Sequence, residues 1–564
     1  MALRLITGRS GQGKTEYLVQ EVIRLSMENP QQKYYVIVPE QFSLEMQRKM
    51  VKKHPRHGFF NIDVLSFHRL AYRIFDECGY QPGEILEDLG VSMMLRKILS
   101  ESENNFLYFK KSMKKAGFID ELKSMLMEFI GYGVTWEQVE EVSEKLGENK
   151  ALSNKCKELG RIYEHFDKAI EGRFMVTEQI LDVAREFAKE APMLANAVFY
   201  FDGFAGFTPV QLAFLKELLK VAGQINVTIT IPEFVPGQRG MPEDLFTSSK
   251  KTGDALLMLC QENMQEVEEV VKLDTPVSPE LAFLEKNLFQ NSRKIYSKKI
   301  ERIHMTVCHN PDGEADYVMH KIEQLVRQKG YRYRDFAVLS GDVADYASAF
   351  KRKAAILNIP VFEDTKKKVS YHSGVEAVRS LFHLAQMEYS YESVFRYLKS
   401  GMSNLIDEDA DYLENYVLYA GVRGYSMWKK PFYRRLKNKD EAAIKALLLL
   451  QEKFMEETEN FCSVMWDKEA SVRDKIEVLY HTMVKLSFEE KLKNQAQKAE
   501  ENSDFVKAAE YRQLYDLLLS LMDKIVMIFG EEKMAVKELA EKYGVDPLVM
   551  VGFLDGINDS LKNP

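Results

Sequence analysis

An α/β fold on a parallel sheet, broken by large helical insertions, is what this sequence predicts, on three observations. Strand, glycine loop, helix and strand follow one another within residues 3–38. About a hundred residues of helical periodicity then separate two stretches of strand character. A second alternation of strand and helix begins at Ile303.

The elements follow in order. Leu3–Thr7 reads as a strand running into Gly8, and Leu18, Val19, Val22, Ile23 and Met27 sit at helical spacing over 16–27. Tyr34–Val38 is a buried-type strand stopped by Pro39. From 85 to 190 the pattern is helical, clearest in the stripe Phe118, Ile119, Leu122, Met125, Leu126, Phe129 and Ile130. Strands Ala197–Phe201 and Gln224–Ile231 flank a helix over Val210–Leu219. The first α/β domain is therefore 1–84 with 191–232, and 85–190 is its insertion. Residues 233–302 read as linker and helices, with 232–254 rich in Pro, Gly, Ser and Lys. Over 303–373 the sequence predicts strands at Ile303–Cys308, Phe336–Leu339 and Ile359–Phe362, with helices at 314–328 and 343–357. Residues 374–535 read as a second helical insertion. Residues 536–564 read as a divergent tail with two short helices around Asp546-Pro547.

Composition narrows the class. The chain has 564 residues and 46% hydrophobic residues, enough for several packed units. Its five cysteines (Cys78, Cys156, Cys260, Cys308, Cys462) include no C-x-x-C pair, which excludes a disulfide scaffold and a zinc ribbon. No apolar run approaches the roughly 18 residues a membrane span needs, and MALRLITGRS lacks the layout of a signal peptide. The expectation is a soluble, cytoplasmic protein without a membrane partner. A net charge of −8 confines any nucleic-acid binding to local patches.

The strongest chemical signal is Gly8-Arg9-Ser10-Gly11-Gln12-Gly13-Lys14-Thr15, which fits G-x-x-x-x-G-K-[ST] in full. The glycines let successive N–H groups converge on one anion at a helix N-terminus. Lys14 would reach the β- and γ-phosphates of ATP, and Thr15 would hold Mg²⁺. Asp202, at the end of the apolar strand Val198–Phe201, is the candidate second metal-associated residue. Gly203 follows it, where an ATP-driven motor carries the carboxylate that activates water. Binding without efficient turnover is the expectation.

Several further segments recur together with this loop: Val38-Pro39-Glu40-Gln41-Phe42, Val64–Tyr72, Phe201-Asp202-Gly203-Phe204 with Phe207-Thr208-Pro209, and Lys329–Leu339. In this order, over about residues 1–535, the chain resembles the B subunit of the AddAB-type ATP-dependent helicase–nuclease of Gram-positive bacteria. The resemblance implies a superfamily 1 helicase-like architecture of two RecA-like domains with helical insertions. It also implies a degenerate motor, an A-subunit partner in a heterodimer that acts on duplex DNA ends, and scanning of single-stranded DNA for the Chi hotspot during double-strand break repair. By the same resemblance Gln41, Ser43, Phe67, Arg69, Tyr72, Phe204 and Phe207 would face the DNA, aromatic rings stacking on bases. On the residues alone, Phe67, Leu70 and Tyr72 equally suit the core of a strand-to-helix junction.

Arg423–Lys439 is a second candidate DNA track, holding seven basic residues and no acidic one. Arg423, Trp428, Lys429, Lys430, Tyr433, Arg434 and Arg435 would carry it; a solvated basic loop is the alternative. The lysines at 110–115 and 366–368 read as solvated faces. Strand alternation would set His309 opposite His304 and Cys308, so no protein-only metal site is expected.

The chain also departs from the family pattern. Gly341-Asp342 stands where an active motor would place an arginine-bearing motif, and no arginine finger, nuclease carboxylate cluster or four-cysteine iron–sulfur set follows. The cluster implied for the full-length family thus lacks its ligands here. The second RecA-like domain is expected to be incomplete, the chain resembling the front half of a larger protein. Two function classes stand: a nucleotide-binding, DNA-scanning component of a helicase–nuclease, or a working ATP-driven single-strand translocase.

Overall fold

The computed structural model describes residues 2–101, 106, 108–113, 117–146, 149–237, 244–275, 278–288, 293–362, 372–432 and 440–533. Nine strands form among them: β1 (Ala2–Gly8), β2 (Tyr34–Ile37), β3 (Ile62–Leu65), β4 (Glu84–Leu86), β5 (Phe174–Val176), β6 (Val198–Phe201), β7 (Gln224–Thr230), β8 (Glu266–Val267) and β9 (Val271–Lys272). Seven make one sheet, ordered β3-β2-β6-β7-β1-β8 with β9 also on β1; every ladder in it is parallel.

The strands read as continuous apolar runs because helices cover both faces. In β2, Tyr34 and Val36 join one core with Leu18, Val19 and Val22 of α1 (Lys14–Glu28) and Met46 and Met50 of α2 (Ser43–Lys53). Tyr35 and Ile37 point the other way, into a core shared with Leu70 and Ile74 of α3 (Phe67–Cys78) and with helices Ile180–Phe187 and Pro209–Val221. This is the period-2 alternation of a strand, seen from both sides. A buried polar lock ties α1 to the sheet: Glu21 accepts from Arg4 and, at 3.1 Å each, from the Tyr17 and Tyr200 hydroxyls, while Arg4 Nε donates to Asn226 Oδ1 at 2.7 Å.

The two helical insertions, far apart in sequence, share one apolar core. It runs from Leu86–Val176 through Val375–Phe529. At the seam Lys97 Nζ donates to the Ile528 carbonyl (3.0 Å), Arg173 Nη2 donates to that of Met527 (2.9 Å), and Lys524 pairs with Glu87. No helix among the described residues is long and apolar enough to cross a membrane.

Several expectations need correcting. Helices Pro311–Lys329 and Val343–Leu357 form, but residues 303–308, 336–339 and 359–362 are not strands. A helix satisfies its backbone internally, whereas a strand needs a neighbour's N–H and C=O groups, and these segments have no ladder partner among the described residues. Several of their apolar side chains stay in water, Met305 at 93% and Leu339 at 95% exposure, while Ile359 and Phe336 pack against the two helices rather than into a sheet. Helix Ile180–Phe187, expected within the insertion, buries Ile180, Leu181 and Ala184 in the sheet's core. Strands β4, β5, β8 and β9 have no counterpart in the sequence-based expectation, and helix Thr247–Glu262 takes over the end of the expected linker. The tail 536–564 and lysines 366–368 lie outside the described residues.

Candidate functional site

In a parallel sheet all strands point the same way, so the loops after β1, β2, β3 and β6 emerge at one edge. That edge collects the phosphate loop, residues 40–43, residues 66–72 and residues 202–207.

The phosphate loop joins β1 to α1. Gly11 (φ 75°) and Gly13 (φ 83°) both sit in the left-handed region, which a side chain would strain, and Gly13 caps α1. The Gln12 side chain folds back to accept from the Arg9 backbone N–H at 2.6 Å, closing the turn. Lys14 Nζ lies across the mouth, donating to the carbonyls of Gly8 and Arg9 at 2.9 Å each. Burial pulls this ammonium below the usual lysine range, against the attraction of Asp202 and Glu285.

Asp202 is buried at the end of β6, one strand removed from β1. Its two carboxylate oxygens accept from Thr15 Oγ1 (2.7 Å) and from Thr228 Oγ1 of the intervening β7 (2.6 Å). Thr15 and Asp202 thus present hard oxygen ligands within one bond of each other, the donor set Mg²⁺ takes. The next residue, Gly203, has φ 83°, so the turn leaving β6 is itself left-handed. A glutamate there would be strained as well as absent.

The DNA-facing residues named from the resemblance separate into two groups. Gln41, Arg69 and Tyr72 fall on the surface side. Arg69 and Tyr72 line a groove of about 490 Å³ along edge strand β3, together with Gln47, Asp63 and Arg73. Phe204 and Phe207 are half-buried. Phe67 is a correction: it is 6% exposed, its ring centroid 5.3 Å from Phe204, 5.6 Å from Phe201 and 6.3 Å from Phe214. As the first residue of α3, capped by Ser66, it points into the core. Ser43 is a second correction, its hydroxyl buried at the start of α2.

The basic segment also changes. Trp428 is 1% exposed and stacks edge-on against Phe454 and Phe432, so it anchors the insertion's core and cannot serve as a DNA platform. Lys429 pairs with Glu459 at 3.0 Å; Arg423 and Lys430 are exposed. Tyr433, Arg434 and Arg435 lie outside the described residues.

Among the described residues no group of three or more His, Cys, Asp or Glu is placed to hold a metal. Burial pushes the Cys260 thiol up to about 11 and Cys462 to about 12.

Sequence reasoning missed Thr228 and a segment beyond β9. Gln12 Nε2 donates to Asp274 Oδ1 (2.9 Å), Thr275 Oγ1 donates to the Gln12 carbonyl (2.9 Å), and Arg9 pairs with Glu285 at 3.3 Å. These partners lie 262–276 residues from the loop residues they hold. Only the short strand signal at 266–272 could have hinted at them.

The family model described as ADDB, N-terminal, matches residues 5–285. Proteins named as the B component of an ATP-dependent helicase/deoxyribonuclease align almost end to end with this chain. The one from Lachnoclostridium phytofermentans is 31% identical over 96% of this chain and 48% of its own length. That of Thermoanaerobacter sp. X514 is 32% identical over 95% and 48%, and that of Clostridium botulinum strain Hall 30% over 95% and 48%. The chain spans about half the length of these curated relatives. With the phosphate loop and its sheet matched within that family model, and the rest of the chain similar to the same relatives, residues 5–285 belong to the ADDB N-terminal family.

Proposed function

We propose that this chain binds ATP with Mg²⁺ and engages single-stranded DNA within a helicase–nuclease that pairs it with an A subunit and processes double-strand breaks for recombination. The observation that carries this reading is the contact of Thr15 with Asp202 at the same sheet edge as Gln41, Arg69 and Tyr72. A nucleotide would take the N–H groups of Gly11–Thr15, and Lys14 would exchange its loop carbonyls for phosphate oxygens. Thr15 and Asp202 would hold the metal ion, whose charge neutralises the phosphates. Arg69 and Tyr72, on one groove, suit a backbone contact and a base-stacking contact for Chi scanning. Gly203 supports binding with weak turnover, since its backbone and lack of side chain leave no base beside Asp202.

The alternative is an active single-strand translocase, favoured by the intact Thr15–Asp202 pair. DNA-stimulated ATP hydrolysis separates the two. The binding reading expects Mg²⁺-dependent nucleotide binding that Lys14→Ala abolishes and Asp202→Asn weakens, with little hydrolysis. Fast turnover lost in Lys14→Ala would sink it in favour of the translocase. Co-purification with a cognate A subunit on a DNA end tests the partnership.

A further inference from the structure

Two partners of the phosphate loop beyond β9 are carboxylates set where a nucleotide's phosphate oxygens would compete for the same donors: Asp274 accepts from the Gln12 side-chain amide, and Glu285 accepts from the Arg9 guanidinium. Thr275 adds a hydrogen bond of the opposite sense, its hydroxyl donating to the Gln12 carbonyl. The Leu273 carbonyl crowds the same corner, 3.1 Å from where a Cβ on Gly8 would sit. These residues belong to two described pieces, 271–275 and helix Pro279–Asn287. The first is anchored by β9, which pairs Ile6 with Val271 and Thr7 with Lys272, at the very end of the strand that becomes the phosphate loop.

The second piece is loosely seated. Within helix Pro279–Asn287 only Glu280 is buried, and Leu281 and Leu284, with Leu288 just after, stand in water. A helix with so little buried apolar surface detaches at low cost. Beside the ring contact of Phe283 with Tyr296, at 5.2 Å between centroids, it has two polar attachments that reach out of the helix. One is the Arg9–Glu285 pair on the phosphate loop. The other is Glu280, whose carboxylate oxygens accept from the backbone N–H groups of Glu301 and Arg302 at 2.8 Å each. Those two residues lead directly into the unit of helices Pro311–Lys329 and Val343–Leu357. One short helix therefore grips the nucleotide loop at one end and the entry to the next unit at the other.

We propose that residues 271–275 and helix Pro279–Asn287 form a strap that competes with nucleotide for the phosphate loop, so that nucleotide binding releases the strap and is felt at Glu301–Arg302. The inference rests on the nucleotide-binding reading above and deepens it. Asp274 and Glu285 each occupy a donor of the loop, and each brings negative charge to a site that must accept more. Entry of a nucleotide phosphate repels Asp274 and Glu285 and offers Arg9 and Gln12 a new partner. Removing the strap's charge leaves the glycine turns, Lys14, Thr15 and Asp202 in place.

The test uses the full chain, Mg²⁺ and a fluorescent N-methylanthraniloyl ADP as probe. The double variant Asp274→Asn, Glu285→Gln should bind the probe about tenfold more tightly than the parent chain, a change of about 1.4 kcal/mol. In the parent chain, adding the probe should speed amide hydrogen exchange at 278–287 and at Glu301 and Arg302. Glu280→Gln loosens the strap's outer hold, so it should bind the probe more tightly than the parent, though less so than the double variant, and exchange at 301–302 should already be fast and no longer respond to nucleotide. Equal affinity in parent and double variant, with exchange over 278–302 indifferent to nucleotide, would overturn the strap while leaving the nucleotide site standing. No probe bound by parent or double variant, both folded by circular dichroism, would instead remove the nucleotide-binding reading and the strap with it.

Discussion

Replacing Phe67 by alanine is predicted to destabilise the sheet domain rather than to remove a DNA contact. The ring lies in a cluster with Phe201, Phe204, Phe207 and Phe214, at centroid distances of 5.3–6.3 Å. Burying a phenylalanine removes roughly 150–250 Å² from water, and at about 25 cal/mol per Å² that is worth roughly 4–6 kcal/mol as an upper estimate. Measured Phe→Ala losses of about 3–5 kcal/mol include the cavity left behind, so about 4 kcal/mol is the expected cost. Phe67→Leu, which keeps most of the volume, should cost about 1–1.5 kcal/mol. The assay is urea unfolding followed by tyrosine fluorescence, run beside single-stranded DNA binding at about 50 and 200 mM salt. Phe67→Leu should keep the parent DNA affinity. A Phe67→Leu chain of parent stability that has lost DNA affinity would show that the ring leaves its cluster to meet a base, and the burial argument would fail.

Arg69→Ala should leave stability within about 0.5 kcal/mol of the parent. It should weaken single-stranded DNA binding with a salt slope shallower by about 0.7, and an unchanged slope would remove Arg69 from the groove's phosphate contacts. Gly203→Glu is predicted to cost about 1–2 kcal/mol, because its φ of 83° is left-handed. DNA-stimulated ATP hydrolysis should not rise in that variant, and a marked rise would show that a missing base alone limits the motor. Cys260 and Cys462 should resist a thiol reagent at mildly alkaline pH until the chain is denatured. Their folded pKa values, about 11 and about 12, lie above those of unfolded thiols. Each thiol is therefore held protonated in the folded chain after an unfolded one would ionise. The resulting penalty leaves stability untouched below the ordinary thiol range and falls on the folded state as pH rises from there through 11–12. Labelling of either in the native state would contradict that burial. Phe529→Ala, at the seam of the two insertions, should speed hydrogen exchange in both Asp88–Glu101 and Phe505–Phe529; a change confined to one would refute a shared core.

The parts of the molecule that are legible in sequence are those whose physics is local. Residues 16–27 read as a helix, observed as Lys14–Glu28, because their apolar residues repeat every three or four positions, and Gly8–Thr15 reads as a phosphate loop because glycine suits its left-handed turns. Phe67 is ambiguous in sequence because burial depends on what lies across the gap. Phe201 and Phe214, which complete its cage, sit more than a hundred residues away. Trp428 misleads for a related reason. Seven basic neighbours describe the segment's charge but not the side of the helix Tyr425–Trp428 on which the indole falls. The unformed strands at 303–308, 336–339 and 359–362 mark the clearest limit. Alternation reports a preference for extended backbone, and only a neighbouring strand makes that preference a sheet.

The shared core of the insertions bears on what this architecture can do. The ion pairs at the seam are partly exposed, and pairs of that kind contribute little, about 0–1 kcal/mol each. The union is therefore carried by apolar side chains, with Ile525, Ile528 and Phe529 in one continuous cluster with Met94, Leu95 and Ile98. A core of that kind yields only by opening as a unit. Two of the crossings between the sheet domain and this helical body, Glu84–Leu86 on the way out and Phe174–Val176 on the way back, pair with each other as β4 and β5. They are packed on both sides, with Leu86, Phe174 and Val176 in the helical core and Met175 in the sheet's core. Changes at the phosphate loop then have two physical routes outward: the packed β4–β5 crossing, and the polar grip of helix Pro279–Asn287 on Glu301 and Arg302. The second depends on a few hydrogen bonds rather than on packed area, so it is the one that nucleotide can switch.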